Sequence, residues 1–182
     1  MTKARLIPVF STLLVSVACF AAWAAPGLSK EVKLSGQRDA IVMTPDWRTS
    51  TEEPAITVLE RVPDKSKKIS FGLLVLAMEE GPESTEGIDW KKVRDNIVAA
   101  AEHAGGPLTL EVKEPFTSAK GLVGRKLSGT AKVEDRTVKV EMIALIAPKV
   151  LLTVSSVGRT DDVGVAELAT AVATSVRLTP EP

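Results

Sequence analysis

Two stretches of the chain repeat their apolar residues with a helical period. Trp90, Val93, Ile97, Ala101 and Ala104 recur at steps of 3, 4, 4 and 3, which places them on one stripe of a 3.6-residue helix. Asp89 stands where an N-cap is needed, and Gly105-Gly106-Pro107 ends the element. Near the end of the chain Val165, Leu168, Ala169, Val172 and Val176 form a second stripe, with Glu167, Thr170 and Thr174 elsewhere on the surface. A closing helix follows, with Asp161 or Asp162 as its cap.

The other apolar runs are short, β-branched and bounded by turn formers, so they predict strands. Residues 40–43 are apolar and stop at Thr44-Pro45-Asp46-Trp47. Pro45 fixes its own φ and biases Thr44 to an extended conformation, and Trp47 is expected to close one end of the core. Residues 55–62 and 69–78 form a hairpin across the polar turn Pro63-Asp64-Lys65-Ser66-Lys67-Lys68. The second of these runs is apolar at consecutive positions over its last half, which predicts a central strand covered on both faces.

Four more strands are expected at 108–113, 121–133, 136–147 and 150–157. The turns between the later ones, Glu134-Asp135 and Pro148-Lys149, are too brief for crossover helices, so neighbours pair antiparallel. In 136–147, Val138, Val140, Met142, Ala144 and Ile146 share one face, while Ile143, Leu145 and Ala147 make the far half apolar on the other. This is a second central strand. The order of strands, helix, strands and helix around one mostly antiparallel sheet defines an α+β fold.

The first 24 residues obey different rules. Lys3 and Arg5 precede an apolar run over residues 6–22 that ends in Ala22-Trp23-Ala24, the order of a positive region, a hydrophobic region and a small-x-small cleavage site. Cleavage is expected after Ala24, giving a signal peptide at 1–24, a flexible lead-in at 25–38 with a short strand at 31–34, one domain at 39–178 and a tail at 179–182. The expected location is the bacterial periplasm or outside the cell, with no transmembrane helix after cleavage. Cys19 is the chain's one cysteine, preceded by Ser16-Val17-Ala18. A lipobox wants an aliphatic residue at the place of Ser16, so Cys19 reads as a spacer, and a lipoprotein tethered through Cys19 is the alternative.

Cleavage changes the composition. The whole chain balances 23 basic and 23 acidic residues, and loss of Lys3 and Arg5 leaves 21 against 23. No overall field draws such a domain to nucleic acid. Without Cys19 there is no disulfide, thiolate metal site or thiol nucleophile. The aromatic residues left are Trp47, Trp90, Phe71 and Phe116, so the core is aliphatic.

Candidate chemistry is thin. His103 is the one imidazole and sits where the helix dipole favours a cation, with no need for a catalytic role. No Gly-x-Ser-x-Gly elbow is present, and no Ser is followed three residues later by Lys. Gly121-Leu122-Val123-Gly124 lacks the spacing of a phosphate loop, so its glycines are expected to mark a bend or bulge. Glu79, Glu80, Glu83, Glu86 and Asp89 lie in one acidic loop without the alternation of a calcium loop. Lys65, Lys67 and Lys68 form a basic cluster with no adjacent aromatic residue, which suits a charged turn. No catalytic, cofactor or metal residue is assigned, and no cofactor is expected. An exposed Trp beside the acidic loop would mark a partner surface.

The short strand into Thr44-Pro45-Asp46-Trp47, the hairpin, the amphipathic helix from Asp89, the antiparallel strands and the closing helix into Ser175-Val176-Arg177-Leu178 together resemble the PsbP-like superfamily. That group includes the photosystem II extrinsic protein PsbP, the Ran-binding Mog protein of yeast and bacterial DcrB-like envelope proteins. The resemblance spans residues 40–178. It implies an α/β/α sandwich, a mostly antiparallel sheet packed between helices, that works as a binding, assembly or accessory module without catalysis. The expected function is therefore an exported, non-catalytic module of the cell envelope whose partner is another envelope protein. A periplasmic hydrolase using a carboxylate pair or a weakly bound metal is the alternative.

Overall fold

The computed structural model describes residues 27–36, 38–53, 56–60, 73–103, 106–133, 136–158, 160 and 164–179. The signal segment, Cys19, the lysine turn at 63–68, the proposed caps Asp161 and Asp162, and residues 180–182 lie outside them.

The alternating pattern of residues 30–44 builds a small sheet. Strands β1 (Lys30–Leu34) and β2 (Ala40–Thr44) pair antiparallel, and β10 (Arg177–Leu178) adds to the other edge of β2. Val32, Leu34, Ala40 and Val42 turn into the core. The lead-in is therefore a strand of the fold: Leu34 has no exposed surface, so the compact part begins before residue 39. A tight turn then redirects the chain, with the Trp47 N–H donating to the Pro45 carbonyl at 2.8 Å. Trp47 packs half-buried against the core, as its position after the turn predicts.

The remaining strands form a separate sheet in the order β3-β4-β5-β9-β8-β7-β6. They are β3 (Arg48–Glu53), β4 (Ile56–Glu60), β5 (Leu73–Glu80), β6 (Leu108–Thr117), β7 (Val123–Val133), β8 (Arg136–Ala147) and β9 (Val150–Gly158). Every pairing in both sheets is antiparallel. The single sheet expected from the sequence is thus two. β1 and β2 share their core with the last helix, Val32, Leu34, Ala40 and Val42 being buried in one cluster with Leu168, Ala169 and Val172.

Helix α1 (Trp90–His103) lies on one face of the large sheet and α2 (Gly164–Ser175) on the other. Trp90, Val93, Ile97 and Val98 cover Leu110, Leu127, Val140, Met142, Ala144 and Ile146. Leu168, Ala169, Val172 and Ala173 share the second core with Leu74, Leu76, Ile143, Leu145, Leu152 and Val154. The two faces read from the sequence of β8 therefore serve two cores. β5 is central, but Leu74, Leu76 and Met78 are buried while Leu73, Val75 and Ala77 are half-buried. Only one of its faces is fully covered.

Two further differences have local causes. β3 is polar throughout its sequence and carries no apolar signal, yet it completes the edge beside β4. β6 runs through Pro115, beyond the expected end at 113, because it is an edge strand with an irregularity between Val112 and Pro115. An edge or a bulge is where a strand tolerates a residue without an N–H.

The α1 cap is the expected one. Asp89 Oδ1 accepts from the Lys91 and Lys92 amides at 3.0 and 3.2 Å. Asp89→Ala is expected to cost about 1 kcal/mol, measured by urea denaturation; no change would mean that the cap is not formed in solution.

Candidate functional site

One end of the sandwich holds an open cleft of about 490 Å3 between the two sheets' ends. Five separate segments line it: Arg38 before β2, Thr85 in the acidic loop before α1, the β6–β7 turn with Lys120, Gly121, Leu122 and Val123, the β8–β9 turn at Pro148, and β10. The β6–β7 turn is braced internally. Ser118 Oγ accepts from the Lys120 and Leu122 amides at 3.3 and 3.1 Å, and Gly121 supplies the left-handed φ of 80°. The Ala119 N–H donates to the Thr174 carbonyl at 3.1 Å, fixing the turn to the end of α2. Lys120 is thereby held at the rim on a rigid support.

The cleft is cationic and aliphatic. Arg38, Lys120 and Arg177 line it, with Leu122, Val123, Pro148 and Leu178, and among the described residues no carboxylate or imidazole joins them. Arg38 Nε donates to the Thr179 carbonyl at 2.8 Å, and Arg177 pairs with Glu31 at 2.7 Å at a solvent-exposed site. Val123 is 42% exposed, the one large apolar side chain among the described residues that is so open.

A second polar region covers the part of the large sheet that α2 leaves open. Alternation brings Glu111, Lys113, Lys126, Ser128, Lys139 and Glu141 to this face, around shallow hollows of about 260 and 450 Å3. The charges satisfy one another. Lys113 donates to Glu111 at 2.6 Å, Lys126 lies 2.9 Å from Glu114, and Glu141 accepts from Ser128 at 3.0 Å and faces Lys139 at 3.1 Å.

Their titration follows from those contacts. The Lys113 hydrogen bond and charge hold the Glu111 carboxyl below its ordinary 4.5, and Lys126 does the same for Glu114. Glu111 in turn raises Lys113 above 10.5. A depressed carboxyl stabilises the fold above its unfolded pKa and loses that contribution as pH falls through the folded value, while the raised lysine loses its contribution as pH rises through its own. These pairs are exposed, so the effect on stability is small. Lys113→Ala is expected to move the Glu111 carboxyl upward toward the ordinary value in an NMR titration; an unmoved Glu111 would remove Lys113 as the cause.

The acidic loop does not converge. Asp89 caps α1, Glu83 lies 3.7 Å from Lys149, and the Glu86 amide donates to Ser84 Oγ at 3.1 Å. Among the described residues no group of three His, Cys, Asp or Glu side chains is placed to hold a metal. Trp90 is half-buried in the α1 core, not an exposed ring beside the loop. His103 is exposed in the last turn of α1. Gly124 marks no bulge, since β7 and β8 pair in unbroken register across it. The cleft itself was not legible: its cations stand at 38, 120 and 177, and only the paired turns and β10 bring them together.

No protein-family model and no curated protein sequence matches the chain. Solved structures do match. The cyanobacterial PsbP of Synechocystis sp. PCC 6803 superposes with a TM-score of 0.55 at 16% identity, over 84% of this chain and 95% of that one. The fold is PsbP-like. Mycobacterium tuberculosis LpqN, a protein involved in cell envelope biogenesis, superposes with a TM-score of 0.51 at 14% identity, over 83% of this chain and 91% of its own. A Bacteroides thetaiotaomicron protein matches with a TM-score of 0.52 at 11% identity, and this chain spans 46% of that protein's length. The PsbP-like fold implied by the order of elements is thus present, an α+β arrangement with helices on both faces of an antiparallel sheet.

Proposed function

We propose that this chain is an exported, non-catalytic binding or accessory module of the bacterial cell envelope. Export is supported by Lys3, Arg5, the apolar run after them and the Ala22-Trp23-Ala24 site, with the mature protein starting at Ala25. The described residues contain no helix long and apolar enough to cross a membrane. LpqN, with the same fold, acts in envelope biogenesis, which supports the envelope as the setting.

The observation that carries binding over turnover is the lining of the cleft. Among the described residues it offers cations and aliphatic walls but neither carboxylate nor imidazole to act as a general base. The partner is another envelope protein.

Cell fractionation and mass analysis of the mature chain test the reading. The native chain is expected outside the cytoplasm with its N-terminus at Ala25, and replacing Lys3 and Arg5 by Glu is expected to retain the precursor inside. Cytoplasmic location of the native chain would end the proposal, and a lipid-sized mass increase at Cys19 would replace it with a tethered lipoprotein. Crosslinking in the intact envelope then identifies the partner.

A further inference from the structure

β10 is the edge of the small sheet, and it also lines the cationic cleft. Thr179 N–H donates to the Asp39 carbonyl, toward β2. Neighbouring residues of a strand point their main-chain groups to opposite sides, so the Leu178 N–H and C=O face away from β2. An unpaired edge of this kind receives an added strand. The volume of about 490 Å3 falls in the range of ligand-sized sites.

The walls specify what would be added. Lys120 and Arg177 are exposed at the rim, Arg38 is half-buried beside them, and among the described residues no acidic side chain lines the cleft. Glu31 pairs with Arg177 at 2.7 Å from outside the lining, at half-exposed positions where an incoming carboxylate can compete. Leu122, Val123, Pro148 and Leu178 offer an apolar surface, with Val123 the most open. Cations and aliphatic groups at one strand edge complement an extended segment that carries both carboxylates and aliphatic side chains.

We propose that the β10 cleft docks an extended acidic-aliphatic peptide segment of a partner protein, which pairs with Leu178 and places its carboxylates against Lys120 and Arg177. This deepens the binding-module reading and rests on it. Leu178 supplies one donor and one acceptor, so charge and apolar contact carry most of the affinity. Binding therefore weakens with salt.

The test uses the mature domain and a fluorescein-labelled pentapeptide of alternating glutamate and leucine, followed by fluorescence anisotropy. Saturable binding below about 1 mM is expected, falling as salt rises. The counterpart with lysine in place of glutamate is expected not to bind, and backbone N-methylation at alternate positions is expected to weaken the complex. Lys120→Glu and, separately, Val123→Asp are expected to reduce affinity by about tenfold or more. Both positions are exposed, so circular dichroism should be unchanged, and Lys120→Gln gives a milder change at the same place. The proposal is overturned by absence of binding, by equal binding of the lysine peptide, by variants that bind as the native domain does, or by phosphatidylglycerol vesicles that bind the cleft without competition from the peptide. Any of these outcomes leaves the export and crosslinking results standing, so the two readings fail separately.

Discussion

Leu145→Ala is expected to cost the domain about 2–5 kcal/mol, a large part of the 5–15 kcal/mol on the order of which small domains are held. Leu145 lies in β8 with 1% of its surface exposed, opposite Gly124 on one side and Leu152 on the other. It belongs to the core that α2 and the small sheet share. A hole there removes contacts from both layers, and the rigid strands on either side limit collapse into it. Urea denaturation monitored by tryptophan fluorescence should show a lower midpoint with an unchanged slope. Val123→Ala, at the exposed rim, should stay within about 0.5 kcal/mol of the native chain. A Leu145→Ala loss as small as that of Val123→Ala would mean that β8 does not face two cores.

The two faces of β8 were legible because each carries its own apolar alternation, and the helices because their stripes are long and capped. Period alone placed Val140, Met142, Ala144 and Ile146 opposite Ile143, Leu145 and Ala147, and the structure keeps that division. β3 was silent because Arg48-Thr49-Ser50-Thr51-Glu52-Glu53 contains no apolar residue, and its place comes from pairing with β4. β10 is two residues long, below the length at which alternation carries information, and it exists through β2. The same cause hid the cleft. Arg38 and Arg177 meet because β2 and β10 are partners, a long-range pairing that leaves no local mark on either segment. The division into two sheets was hidden for a related reason, since Pro45 and Trp47 announce a turn but not the change of sheet behind it.

Gly124→Ala is expected to destabilise by about 1–3 kcal/mol, although alanine ordinarily suits a strand better than glycine. Gly124 is buried in β7 and has an ordinary strand register with Leu145. A Cβ there would run into the Ala144 carbonyl oxygen and meet the Leu145 Cδ2 at 2.9 Å. The methyl of the leucine can rotate aside, but the carbonyl belongs to the β8 backbone and moves only with the strand. The two contacts are separable by a double-mutant cycle with Leu145→Ala. Truncating Leu145 relieves the side-chain contact alone, so the double variant should be slightly more stable than the sum of the two single losses predicts, by less than the full cost of Gly124→Ala. Complete rescue would place the whole conflict on the Leu145 side chain and free Gly124 from any backbone constraint. No rescue would make the Ala144 carbonyl the sole obstacle, and glycine would then be required at this position whatever side chain stands opposite it.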